Sequence, residues 1–210
     1  MPIPLTDDTL PTALTDLTAR DPRLARIVAD YGPPPLWARE PGFPTLVHII
    51  LEQQVSLASA RAAFDRLLEI ASPLTPERFL ELDDTILKAA GFSRQKTRYG
   101  RELAAAVLSG SLDLDGLHAL DDDAVAAALT RVVGIGRWSA DIYLLMVLCR
   151  PDAWPTGDLA LAIAARHALG LAATPTPVEL AAIGEPWRPW RAVAARVLWH
   201  FYLSGGVPKK

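Results

Sequence analysis

Apolar residues along the chain recur at three- and four-residue intervals and hold strict alternation nowhere, which is the spacing of amphipathic helices rather than strands. The pattern predicts helices over 10–19, 22–31, 44–55, 57–71, 76–82, 83–90, 94–109, 121–132, 137–149, 159–169, 177–184 and 188–203. No segment reads as a strand, so the expected class is all-α. Prolines interrupt the pattern in "YGPPPLWAREPGFP", 31–44, which cannot be helical through its rings and reads as a connector. A weaker break lies at "SGSLDLDGL", 109–117. The breaks give three segments: 1–42, helices expected to pack with the C-terminal part; 43–115, a central helical subdomain; and 116–210, a second subdomain. The expected architecture is two helical subdomains with a cleft between them. There is no internal repeat and no low-complexity tract.

Composition narrows the chemistry. A chain of 210 residues can bury a core without metal or disulfide staples. The single cysteine, Cys149, excludes an intramolecular disulfide, a cysteine-rich zinc site and a four-cysteine iron–sulfur cluster, and suits a reducing compartment. The start "MPIPLTDDTL" lacks a basic segment followed by an apolar stretch, and no run approaches ~18 apolar residues. The expectation is a soluble cytoplasmic protein with no membrane contact. A net charge of −3 argues against a broadly basic surface. Cations nevertheless cluster in "SRQKTRYGR", with Arg94, Lys96, Arg98 and Arg101, and in "WRPWRAVAAR", with Arg188, Arg191 and Arg196. From charge alone both read as solvated helix faces.

The most specific local signal is "LTRVVGIGRWSADIYLL", 129–145. A helix ends near Val132, a Gly-Ile-Gly turn follows, and a second helix starts near Arg137. Gly134 and Gly136 allow a sharp turn and the close approach of another object. The unsatisfied N–H groups at the start of the second helix form an anion site that a DNA phosphate fits, with Arg137 adding a cation. A tight helix–helix turn alone would explain a lone G-x-G. Downstream, "WPTGDLALAIAARHALG" places Asp158 before an apolar helical run, where a carboxylate is a preferred N-cap. The path from Gly134 returns Asp158 towards the mouth of the hairpin.

Taken together, "LVHIILEQQVSLASA", "GFSRQKTRY", "GIGRWSADIY", "WPTGD" and "EPWRPWRAVAARVLWHFY", in this order over residues 22–203, resemble the helix-hairpin-helix DNA glycosylases, and among them the 3-methyladenine DNA glycosylase II (alkyl-base) branch. The resemblance implies a monofunctional enzyme of base excision repair. Such an enzyme flips alkylated bases of the 3-methyladenine and 7-methylguanine type from damaged duplex DNA and hydrolyses the N-glycosidic bond. It implies a monomer in the cytoplasm, nucleoid-associated in a bacterium. The alternative is a non-catalytic helix-hairpin-helix module that only binds DNA.

Carried onto this chain, the resemblance makes Asp158 the catalytic carboxylate, which opposes the positive charge that builds on the sugar as the bond to the base breaks. The N-cap reading and the catalytic reading are compatible, since a helix N-terminus suits a negative charge. Trp138 stands where lyase relatives have a lysine nucleophile, so no lyase step is expected. Trp138 and Trp199, with Tyr143 as a weaker candidate, line the base pocket by resemblance. On a helical wheel Trp190, Val193, Val197 and Phe201 form one stripe and Trp199 falls opposite, near Ala192 and Ala195. Trp199 therefore either faces a cleft, where it would stack on a flipped base, or packs between helical layers. Trp37, Trp154, Trp187 and Trp190 read as packing. Gln53 or Gln54, the latter slightly favoured, enters the space beside the vacated base. Arg94, with Phe92 nearby, occupies the wedge position, and Lys96 and Arg98 either neutralise phosphates or sit on a solvated face. No cofactor is required. The resemblance also implies a structural Na+ or K+ held at the hairpin by the carbonyls of Thr130, Val132 and Ile135.

Overall fold

The computed structural model describes residues 3–208, and among these there is no strand. In chain order the helices are α1 (Leu10–Arg20), α2 (Pro22–Tyr31), α3 (Phe43–Glu52), α4 (Leu57–Ile70), α5 (Pro76–Glu81), α6 (Asp84–Ala90), α7 (Arg94–Leu108), α8 (Asp122–Thr130), α9 (Arg137–Met146), α10 (Leu159–Leu169), α11 (Pro177–Gly184) and α12 (Arg191–Leu203). Their starts follow from local chemistry. Asp21, Ser56, Ser93, Asp121, Asp158 and Thr176 each accept a backbone N–H at a helix N-terminus through the side chain.

The chain divides into two compact units. One is Arg39–Tyr143; the other comprises, among the described residues, 3–38 and 144–208. The boundary expected near 115 is therefore not where the division falls, and the hairpin turn groups with the central helices. The physical reason is that the 109–117 segment does not leave its unit: Leu112 and Leu117 are buried, as are Val125 and Leu129 of α8.

In the Arg39–Tyr143 unit α3 is the central element, with Leu46, Val47, Ile49 and Ile50 fully buried and α4 and α7 packed on it. Phe79 meets Phe43 edge-on at 5.9 Å and Phe92 at a tilt at 5.7 Å. This corrects the placement of Phe92 beside DNA, because its ring belongs to this core. The helix expected over 44–55 stops at Glu52, where Gln53 turns extended and Gln54 takes φ +58°.

In the second unit α12 packs against α10, α2 and α1, and it is buried continuously from Ala192 to Trp199 and at Phe201. Both sides of the wheel are thus covered, and the small residues near Trp199 do not form a surface. Arg196 lies in the core and donates to the carbonyls of Leu36 (2.7 Å), Ala192 (3.0 Å) and Leu145 (2.7 Å). Its burial brings the guanidinium down to about 10. Arg191 and Arg188 both pair with Asp152 and Glu185. The second basic cluster is therefore bound within its own unit. Trp187 donates to Asp21 at 2.8 Å and crosses Trp154 edge-on at 5.4 Å, both rings buried.

Candidate functional site

Asp158 is the N-cap of α10 and more than a cap. Its Oδ1 accepts the Leu161 N–H at 2.7 Å and the indole N–H of Trp199 at 3.1 Å. Its own N–H donates to the Pro155 carbonyl at 3.0 Å. Backbone and carboxylate are both anchored, and two donors on one oxygen fix the plane of the group. The wheel identified the side of α12 that carries Trp199 but could not identify its partner, 41 residues away in the chain. A half-buried carboxylate oriented in this way can oppose a developing positive charge without reorganising.

The hairpin turn runs from the end of α8 to the start of α9. Gly134 has φ +97°, and a Cβ built there would lie 2.1 Å from Cγ of Tyr99. Its glycine identity is demanded by conformation and by packing. Gly136 has neither constraint, since nothing among the described residues lies within 4 Å of a Cβ built there. The Gly136 carbonyl accepts the Ala140 N–H at 3.1 Å, so Gly136 opens α9 without a side chain to cap its first N–H groups. Val132 and Ile135 are buried, and the Val132 carbonyl accepts the Ile135 N–H at 3.0 Å. Arg137 remains largely exposed, but its Nε pairs at 2.8 Å with Asp141, a buried carboxylate one turn along α9. Arg131, exposed at the end of α8, is a cation beside the turn that the sequence reading missed.

The segment following α3 ties into this turn. Lys96 donates to the Leu51 carbonyl at 2.7 Å, and partial burial holds its ammonium below the usual lysine range. Lys96 thus reaches the last turn of α3 and is half-buried there, rather than lying on a fully solvated face. Arg39 clamps Glu52 with two bonds, at 2.9 and 2.8 Å. Gln53 donates to the Gly134 carbonyl at 2.8 Å and to the Ser139 hydroxyl at 3.0 Å, so it faces the hairpin and not a vacated base. Only Gln54 of the pair is exposed at the loop tip. No local signal marks Gln53 for this role, because its acceptor is 81 residues away. Arg94 is exposed in the first turn of α7. On α9, Trp138 is half-buried, while Tyr143 is fully enclosed and its burial pushes the phenol up to about 12. Tyr143 therefore presents no surface to a base. The structure brings Asp158 together with Trp199, and Gln53 together with Gly134.

Residues 47–189 match the HhH-GPD superfamily base excision DNA repair protein family. DNA-3-methyladenine glycosylase 1 of Schizosaccharomyces pombe is 29% identical over 181 residues, covering 84% of this chain and 79% of that protein. DNA-3-methyladenine glycosylase 2 of Escherichia coli is 27% identical over 173 residues, covering 77% and 57%. The solved structure of the S. pombe 3-methyladenine DNA glycosylase in complex with abasic DNA superposes with a TM-score of 0.82 at 29% identity, covering 90% of this chain and 95% of that one.

Proposed function

The chain belongs to the HhH-GPD superfamily of base excision DNA repair proteins, and on that footing we propose that it is a monofunctional alkyl-base DNA glycosylase acting on alkylated purines in duplex DNA. The observation that supports this reading best is the Asp158 carboxylate, pinned on one oxygen by Leu161 and Trp199. An alkylated purine is cationic and leaves readily, so the protein's main task is to stabilise the oxocarbenium-like sugar and admit water. Asp158 supplies the negative charge, and Trp199 and the start of α10 hold it in place. Trp138 stacks on the extruded base. It also occupies the position where a lyase would need an amine, so the product is an intact abasic site.

Gly136 and the first N–H groups of α9 take a phosphate, and Gln54 enters the duplex beside the extruded nucleotide. A Na+ or K+ at the turn would be held by the carbonyls of Thr130, Val132 and Ile135. The donor set fits a monovalent cation: these are neutral carbonyls, the one belonging to Gly134 is diverted to Gln53, and that of Val132 keeps a second lone pair beside its bond to Ile135. Held there, such an ion would supply positive charge to an approaching phosphate. The proposed enzyme meets its DNA in the cytoplasm; no helix among the described residues is long and apolar enough to cross a membrane.

The test is release of free base from methylated duplex DNA by the native protein and by Asp158→Asn at equal DNA occupancy. Asparagine is also a good N-cap, so the variant keeps α10 and loses the charge. The expected result is release of 3-methyladenine or 7-methylguanine by the native protein and a loss of at least about 100-fold in the variant. If neither protein releases base while both bind duplex DNA, the chain is a binding module and Asp158 is only a cap.

A further inference from the structure

Four consecutive residues, Leu51 to Gln54, carry the chain from the last turn of α3 into the loop before α4, and each is fixed differently. Three of them have a polar group engaged by another element: Leu51 through Lys96 of α7, Glu52 through Arg39, and Gln53 through the hairpin. The fourth, Gln54, is exposed and sits in the left-handed region at φ +58°. A residue with a Cβ occupies that region at a cost, so the conformation persists only where its surroundings hold it. The Gln53 amide is the link to the turn. A carbonyl oxygen can only accept, so the bond to Gly134 must come from the Gln53 NH2, whose second N–H serves Ser139 at the start of α9. Gly134 is meanwhile seated on the Tyr99 ring. The turn is thus held between an aromatic seat and an amide clasp, and the clasp belongs to the residue immediately before Gln54.

We propose that Gln53 is a positioning residue that couples the loop presenting Gln54 to the hairpin turn, so that phosphate capture by the turn and entry of Gln54 into the duplex occur as one event. This rests on the proposed reading of the hairpin and Gln54 as DNA-facing, and adds that neither acts alone. With the clasp intact, a hairpin seated on its phosphate fixes the origin of the Gln54 side chain. With the clasp cut, the hairpin still binds but Gln54 no longer enters in register. Arg39 and Lys96 brace the same segment from two other directions, but neither reaches the hairpin, so the coupling passes through Gln53.

The experiment is a double-mutant cycle on Gln53→Ala and Gln54→Ala, read by the fluorescence of 2-aminopurine placed next to an abasic site and by affinity for the same duplex. Coupling predicts that either single variant loses most of the fluorescence change and that the double variant loses no more. Independent roles predict losses that multiply, which overturns the proposal. A second readout needs no DNA. In native-state hydrogen exchange, Gln53→Ala should speed exchange at residues 53–56 and 133–139 together, by tenfold or more, and leave α5 and α6 unchanged. Acceleration confined to one of the two segments overturns the coupling. Gln53→Glu keeps the shape but cannot donate to the Gly134 carbonyl, so it should behave as Gln53→Ala; native behaviour in that variant also overturns the proposal. If the native protein neither binds the abasic duplex nor releases base, the functional reading and the DNA part of the proposal fail together, whereas native activity with multiplicative losses refutes the coupling alone.

Discussion

Gly134 and Gly136 stand two residues apart in one turn, and the environment of each predicts a different response to the same substitution. At Gly134 an alanine would have to adopt φ +97° and place its Cβ 2.1 Å from the Tyr99 ring. The change should cost ~2–4 kcal/mol of folding stability, from left-handed strain and overpacking combined. At Gly136 the same methyl group meets only open space, so Gly136→Ala should melt within a few degrees of the native protein while weakening duplex binding, because the methyl occupies the space a phosphate would enter. Melting curves and binding isotherms on the two variants check both halves; a native-like affinity for Gly136→Ala would remove the turn from the DNA contact. Trp199 yields a third prediction at this scale. Trp199→Phe keeps a ring on α12 but deletes the donor to Asp158, so turnover should fall while affinity for abasic duplex stays close to native. Parallel losses in both would make Trp199 a packing residue.

Among the elements, what was legible in the sequence separates by the range of the interaction responsible. Helices α1, α2, α8, α10 and α11 lie close to where periodicity and caps put them, because a Ser, Thr or Asp cap, or a proline in the first turn, is a local signal. The end of α3 was not legible. Its last polar groups are set by Lys96, Arg39 and Gly134, all distant in sequence, and the apolar spacing continues past the true stop. The same distance effect hid the functions of Gln53 and Trp199, whereas Asp158 was found because a cap is read from its neighbours. One consequence of α3 packing is a pH dependence. His48 stacks on Phe64 at 4.4 Å with planes 5° apart and lies 3.8 Å from Glu52, with Arg39, Arg61 and Asp65 also acting on it. Burial pushes its pKa below the ordinary 6.5, outweighing the attraction of Glu52. Between the folded value and about 6.5 the unfolded chain therefore binds more protons, and stability must rise with pH across that window and be lost as pH falls through it. Urea unfolding from pH 7.5 downwards should show that loss, and His48→Gln should flatten it; an unchanged profile in the variant would assign the acid sensitivity elsewhere.

Over the whole molecule the balance of charge makes DNA binding a question of placement, since a chain of net charge −3 gains nothing from overall attraction. The sequence offered two basic clusters, and burial separates them. Arg188 and Arg191 are tied to Asp152 and Glu185, and Arg196 is enclosed among carbonyls, so none of the three should contribute counterion release. In the Arg39–Tyr143 unit Lys96 is half-buried against the end of α3, and Arg94, Arg98, Arg131 and Arg137 have exposed side chains on or beside α7 and the hairpin. Each phosphate neutralised steepens the dependence of log K on log salt by ~0.9, so four contacts would give a slope near ~−3.6. The slope then distinguishes the two kinds of cation. Arg94→Ala should flatten it by about 1 with little change in melting temperature. Lys96→Ala and Arg191→Ala should lower the melting temperature and leave the slope as it is, because one loses a bond to the last turn of α3 and the other an internal ion pair. A flattened slope in Arg191→Ala would place the second cluster on the DNA surface. An unchanged slope in Arg94→Ala would mean that α7 faces solvent in the complex and that the hairpin carries the phosphate contacts alone.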